Sequence, residues 1–500
     1  MERYVLGIDI GTTSVKTLLI SSAGEIVGEA TESHNLLSPY PGWAEEVAET
    51  WWENTVKTLR SLNALYPNEM SKIESIGTSG MVPAIVLLGE KGNVLRNSIQ
   101  QNDARAISQI EKITNLLDQE ELFERTGGKT NQQHVLPRLL WVKENEPEIF
   151  ESVRYVMGSY DYIVYKLTGE LSIEINWAVE SGMFDIFTQE WIVEHFHKFD
   201  IPVGLFPKVH HSTEVVGQVS SAAACDTGLR EGISVIAGSA DHVASTLAAG
   251  IIDEGDLLIK FGGAGDILYC VDTIKTDSSL FFDYHIVPNK YLINGCMAAS
   301  GSLVKWFVSD VLGVDDPSFL KKLDEDAKDV PPASNGLIIL PYFVGEKTPI
   351  FDPIARGVMF GLSLSHGNVE IFRAIQEAVI YGFQHHVDVI NESGYFPKQI
   401  FATNGGAKSK YWCQIAADVL GMPIKSFPFH PGSALGVAFL SGMVSGVFSD
   451  WQEIHKFLVN FSYYEPNFEN HKVYKKSYAI YRKLYKQLVE SFNELQTLYE

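Results

Sequence analysis

The sequence predicts an α/β protein made of two halves of similar design. Short β-branched apolar runs alternate with longer stretches whose apolar residues recur every three or four positions; these two periods separate strands from helices. Each half also repeats one arrangement, a strand, a glycine-containing turn and a second strand. It occurs at Asp9-Ile10-Gly11-Thr12-Thr13 and again at Gly262-Gly263-Ala264-Gly265-Asp266. The length fits: 500 residues correspond to about three domains or two large ones. A chain of this size buries a core without disulfide or metal staples.

Residues 4–10, 15–20 and 25–30 read as three strands joined by the turns Gly-Thr-Thr-Ser and Ser-Ser-Ala-Gly, an antiparallel meander. Residues 51–65 carry Trp52, Val56, Leu59, Leu62 and Leu65 on one helical face. Strands are expected at 73–78 and 85–88, and helices at 107–117 and 137–143. The second half begins with strands at 234–237 and 256–261, a turn at 262–265 and a strand at 266–269. Long helices come late. One spans 368–394, with Asn368 as its cap and Phe372, Ile375, Val379, Phe383, Val387 and Ile390 as its stripe. Another is capped by Ser409, turns Trp412, Ile415, Ala416 and Val419 inward and stops at Gly421. A last one covers 474–498; its tyrosines at 474, 478, 481 and 485 read as packing.

Composition narrows the partners. Lys and Arg number 39 against 62 Asp and Glu, a net charge of −23, which repels nucleic acid and anionic lipid over any broad surface. One small anionic ligand held by local donors remains compatible. Cys225, Cys270, Cys296 and Cys413 stand far apart with no C-x-x-C pair, so they read as reduced thiols. Neither a secretion leader nor an apolar run of about 18 residues is recognised. The expectation is a soluble cytoplasmic protein.

The densest chemistry lies in Gly7-Ile8-Asp9-Ile10-Gly11-Thr12-Thr13-Ser14-Val15-Lys16. A tight turn between strands points successive N–H groups into one concavity, which suits phosphate oxygens. Gly11 permits close approach, Thr12 and Thr13 add hydroxyls, and Asp9 at the strand end is a hard ligand for Mg²⁺ or its waters. Asp241 follows an apolar strand amid small residues, Ala237-Gly238-Ser239-Ala240. A carboxylate placed there suits proton removal from a hydroxyl; capping a helix over 243–249 fits its spacing equally well. The glycine pairs 262–263 and 405–406 suit a nucleotide or ordinary turns. No G-x-x-x-x-G-K-[ST] or G-x-G-x-x-G occurs. Ser302-x-x-Lys305 reads as a chance match, and His210-His211 and His385-His386 read as structural or solvated.

In combination the chain resembles the FGGY carbohydrate kinases, nearly end to end. The resemblance runs through Asp9-x-Gly11-Thr12-Thr13-Ser14-x-Lys16, Asn102-Asp103-x-Arg105, Arg138-Leu-Leu-Trp141, Asp161-Tyr162 with Leu167-Thr168-Gly169-Glu170, and Gly238-Ser-Ala-Asp241. It continues through Ser300-Gly301-Ser302 with Trp306, Gly345-Glu346-Lys347-Thr348-Pro349, Asp352-Pro353 with Arg356-Gly357, Gly405-Gly406-Ala407-Lys408-Ser409 and Ala417-Asp418.

The resemblance implies two actin-like, ribonuclease H-like ATPase domains flanking a deep cleft, residues 1–245 with the sugar site and 246–500 with the nucleotide site. It implies ATP and Mg²⁺ as cofactors. Asp241 is then the general base and Asp9 the metal ligand. Gly11, Thr12, Thr13, Lys16, Gly262, Gly263, Gly405, Gly406 and Ala407 face the nucleotide. Met81, Gln101, Asp103, Arg105 and Asp241 line the sugar site. Three departures stand out. Met81-Val82-Pro83 replaces the Gln-Met-His usual in the xylulose kinases of this family, Gln101 replaces a Trp, and Gly262-Gly263-Ala264 lacks two hydroxyls. The expected activity is phosphorylation of a primary hydroxyl of a small sugar, a ketopentose first. A polyol or an aldonate such as gluconate, paired with Arg105, is the alternative; a non-kinase actin-like ATPase switch is the rival class. A homodimer is left open.

Overall fold

The computed structural model describes residues 2–498. They form two compact α/β units that interleave along the chain. The first holds everything up to Ile252 with Phe282–Tyr291 and Pro431–Val459; the second holds Asp253–Phe281, Leu292–His430 and the chain from Asn460 onward. The chain thus does not divide once, at 245/246, but passes back and forth between the units.

In the first unit, β1 (Tyr4–Ile10), β2 (Ser14–Ser21) and β3 (Ile26–Ser33) form the expected antiparallel meander. β4 (Ile73–Gly80) runs parallel to β1. With β5 (Val215–Gln218) and β6 (Ser234–Ile236) the order is β5-β6-β4-β1-β2-β3, and β7 (Ser239–Ala240) pairs with β4. β1 is buried almost throughout, which is why it reads as one unbroken apolar run. Helix Ser433–Val444 lies against it. A Cβ on Gly7 would sit 2.0 Å from the Ala434 carbonyl oxygen and one on Gly77 2.2 Å from that of Val437, so only glycines let this helix seat. Sequence reading did not separate the helix. Its residues are apolar on every side and nearly all buried, so it has no stripe to detect.

In the second unit, β8 (Asp256–Phe261) and β9 (Gly265–Val271) form a hairpin in which Phe261 faces Gly265. β10 (Tyr291–Met297), β11 (Gln399–Thr403), β12 (Ile424–Ser426) and β13 (Ser462–Tyr464) extend it in the order β10-β9-β8-β11-β12-β13. The long helix runs Asn368–Glu392. Its cap is Gly367, not the expected Asn368: the Gly367 amide donates to the Glu370 carboxylate at 2.9 Å. Ser409 caps helix Lys410–Leu420 as expected, accepting from the Trp412 amide at 3.0 Å, and Gly421 closes it at φ 67°. The tyrosines of helix Phe468–Gln496 do pack inward; Tyr474 donates to Glu377 and Tyr481 bonds Tyr342. Both units are α/β, the class the sequence predicts. Among the described residues no helix is long and apolar enough to cross a membrane.

Candidate active site

Parallel pairing brings the two singled-out aspartates to one sheet edge. Asp9 of β1 faces Ser79 of β4, which faces Ser239 of β7; Ile10, Gly80 and Ala240 form the next row. Asp241 therefore follows directly off the carboxyl end of β7, one strand beyond β4 from Asp9. Carboxyl ends of parallel strands are where open α/β sheets receive ligands. Gly238 makes this possible: its φ is +85°, and a Cβ there would lie 2.1 Å from the Thr78 carbonyl oxygen.

Asp241 opens helix Asp241–Ala248 as its first residue, with Ala240 at the cap. The capping alternative is thus not its role. Its carboxylate accepts the amide of its neighbour His242 at 2.6 Å, and the side chain is 41 % exposed. Asp9 accepts from Ser79 Oγ at 2.8 Å. Burial, and then the Asp241 charge, push the Asp9 carboxyl up to about 6 against the pull of the Ser433 and Ser79 hydroxyls. The nearby Lys16 is paired with Glu29 at 2.9 Å. Two carboxylates in mutual repulsion, with hydroxyls beside them, are a donor set that fits a hard divalent cation.

His242 escaped sequence reading. Its Nε2 lies 2.9 Å from Asp283 Oδ2 and its Nδ1 3.5 Å from Asp241 Oδ1. Burial alone would lower its pKa, but the Asp283 and Asp241 carboxylates outweigh it and raise it well above the ordinary histidine value. Its place next to Asp241 was visible; the pairing with a residue 41 positions away was not.

The first turn is closed by the Gly11 amide donating to the Ser14 carbonyl at 3.0 Å. Thr12 and Thr13 are exposed, and among the described residues their amides donate to no partner. A Cβ on Gly11 would meet only the Ser14 oxygen, at 3.4 Å, so the space beside it is open.

The polar run at 100–105 divides. Gln101 is half-buried and bonds Gln133 at 3.4 Å, and Asn102 is exposed. Asp103 and Arg105, expected to touch the sugar, have fully buried side chains that form an ion pair at 2.8 Å, with Arg105 Nη1 left without a hydrogen-bond partner among the described residues. Asp103 also accepts from the Ala44 amide, while Arg105 reaches Glu45 at 2.8 Å and stacks on Trp43 at 3.7 Å. Charges this deep persist only when paired, so the pair props the wall from behind. Arg138, also buried, donates to the main-chain oxygens of Ile99 and Gln100 and steadies the same loop. Met81 is buried too, its amide on the Ile10 carbonyl and its carbonyl accepting from Ser159 Oγ.

In the second unit a mainly apolar cavity of about 950 Å³ is lined by Gly262, Gly263, Gly405, Gly406, Phe372 and Trp412, with Lys305, Lys321 and Lys408 among its polar residues. The Gly262 and Gly263 carbonyls accept from the amides of Ser300, Gly301 and Ser302. Nothing lies within 4 Å of a Cβ built on Gly263. Ala407, expected to face the nucleotide, is buried behind the cavity, its carbonyl accepting from Ser426 Oγ at 2.8 Å. Ser302 and Lys305, set aside as a chance match, are both lining residues. Asp324, Gln376, Phe372 and Trp412 were not assigned to a site from sequence, because nothing local marks a helix residue as facing a cavity.

Comparison with known proteins agrees with this geometry. The model of the FGGY family of carbohydrate kinases, N-terminal domain, matches residues 4–248, and that of the C-terminal domain matches 277–445. A xylulose kinase of Bacillus subtilis is 29% identical over 97% of this chain and 97% of its own. The crystal structure of xylulose kinase from Rhodospirillum rubrum is 39% identical, covers 98% of this chain and 100% of that one, and superposes with a TM-score of 0.93. Gluconate kinase from Lactobacillus acidophilus is 26% identical, with a TM-score of 0.92 over 99% of this chain and 100% of its own. The protein is an enzyme, a sugar kinase, and the chain belongs to the FGGY family of carbohydrate kinases.

Proposed function

We propose that this sugar kinase transfers a phosphoryl group from ATP to a primary hydroxyl of a ketopentose of the xylulose type, with Asp241 as general base. The observation that carries the reading is the placing of an exposed Asp241 carboxylate and Asp9 at one sheet edge. The similarity to xylulose kinases supports the ketopentose; the likeness to gluconate kinase keeps an aldonate as the second reading. The Arg105 guanidinium, expected to pair with an aldonate's carboxylate, is buried on Asp103 and Glu45.

In this mechanism Asp241 orients the hydroxyl and accepts its proton as the new O–P bond forms. In the first unit the free amides of Thr12 and Thr13 hold phosphate oxygens; in the second, the loop at Gly262 and Gly263 lines the nucleotide cavity. Gly405 and Gly406 line the nucleotide site. Lys16 adds positive charge near the first turn. Gln101 and Met81 shape the sugar side. Asp9, with the Ser79 and Ser433 hydroxyls, is suited to hold Mg²⁺ or its waters. When bound, that ion neutralises phosphate charge.

The test is ADP release in the presence of pentuloses, hexuloses, polyols and aldonates. One sugar, a pentulose first, should raise the rate strongly; release indifferent to every sugar overturns the proposal and favours a switch ATPase. Asp241→Ala should lower kcat by roughly 10²–10⁴ with ATP binding retained. Turnover close to wild type in that variant would remove Asp241 from the role of base.

A further inference from the structure

Asp324 is the one carboxylate among the residues lining the second unit's cavity, and the hydrogen bonds around it follow a pattern. Two side-chain donors already hold it, those of Ser409 and Gln376. Ser409 Oγ donates to Asp324 Oδ2 at 2.8 Å, Gln376 Nε2 donates to Oδ1 at 2.8 Å, and Trp412 Nε1 donates to the Gln376 main-chain oxygen at 3.0 Å. What remains is acceptor capacity. Gln376 is 1% exposed and its Oε1 has no hydrogen-bond partner among the described residues. Asp324 Oδ2 carries a single accepted bond, where a carboxylate oxygen takes two. A buried acceptor left unpaired costs free energy until a donor arrives. Phosphate oxygens are acceptors and anionic, so they are unsuited to this place; an N–H or O–H group fits it.

We infer that Asp324, with Gln376 beside it, reads the nucleoside, accepting a hydrogen bond from its exocyclic amine or a ribose hydroxyl and so directing the phosphates away. This rests on the nucleotide reading of the cavity given above. The apolar remainder, with Phe372 and Trp412, suits a flat ring.

The experiment is calorimetric titration, without sugar, of wild type, Asp324→Asn and Asp324→Glu with three nucleotides. They are ATP, ITP (a carbonyl in place of the amine) and 2′-deoxyATP. Wild type should prefer ATP to at least one analogue. Asp324→Asn should lose about 10- to 100-fold in ATP affinity, the worth of a hydrogen bond to a charged group. It should also lose that preference: against ITP if the amine is read, against 2′-deoxyATP if the hydroxyl is. Asp324→Glu, which keeps the charge, should recover part of the preference. Equal wild-type affinity for all three overturns the inference. So does an Asp324→Asn variant weakened by one common factor, with a lowered unfolding temperature and no change in preference. A wild type that binds none of the three sinks the nucleotide reading of the cavity itself; ATP binding without discrimination sinks only the role of Asp324.

Discussion

Asp241 owes its placement to a residue three positions earlier. Gly238 holds a left-handed φ of +85° against the Thr78 carbonyl, and no side chain fits both conditions. Gly238→Ala should cost about 2–4 kcal/mol and should reduce turnover further than stability alone explains, because Asp241 is carried with β7. Urea unfolding midpoints and kcat together check this; a variant with wild-type values of both would show that β7 does not depend on the glycine. Asp9 and Asp241 were legible in the sequence, since each ends a short apolar run in small-residue surroundings. The direction in which Asp103 and Arg105 point was not. A polar run looks the same whether it faces a ligand or an inner partner, and the deciding partner, Glu45, lies 60 residues from Arg105 in the chain.

Among the elements, helix Ser433–Val444 matters most to the first unit. It covers β1 and β4 and brings Ser433 to Asp9. The methyl group in Gly7→Ala would meet main-chain atoms of this helix, the Ala434 oxygen at 2.0 Å and the Ala438 nitrogen at 2.8 Å. Main chain does not swing aside as a long side chain does, so the loss should reach about 3 kcal/mol or more, read from denaturant unfolding. An unchanged midpoint would mean the helix is not seated on β1. Strands β1 to β3, β8 and β9 and the Ser409-capped helix were readable because turn chemistry and periodicity are local. Helix Ser433–Val444 was not: with apolar residues on every side it shows no period. Asn368 was taken for a cap because it is a good capping residue. The Glu370 carboxylate instead caps from within the helix, onto the Gly367 amide.

Over the whole molecule, burial sets opposing responses to pH. His386 is held between Thr348 and the Gly382 carbonyl, and burial lowers it from 6.5 to about 4. The unfolded chain protonates this ring below pH 6.5, the folded one only near 4. The stability that the neutral ring contributes is therefore full above 6.5 and is lost as the pH falls towards 4, on the order of 3 kcal/mol. Burial raises Glu174 and Glu346 to about 7, and their protonated forms favour the fold as pH falls, so they act in the opposite sense. Comparing wild type with His386→Asn isolates the histidine: the stability gap should narrow between pH 6.5 and 4. A gap independent of pH would mean that His386 titrates as it does in solvent. The sequence by itself determined the α/β class, the strand–turn–strand edges, the two aspartates and the kinase family, because periodicity, turn chemistry and short motifs need no distant partner. Only the tertiary structure decided that the units interleave, that Arg105 is an inner prop, that Asp283 holds His242 and that Asp324 faces a cavity. Each of these depends on strand register and helix packing that join residues tens to hundreds of positions apart, where local pattern carries no information.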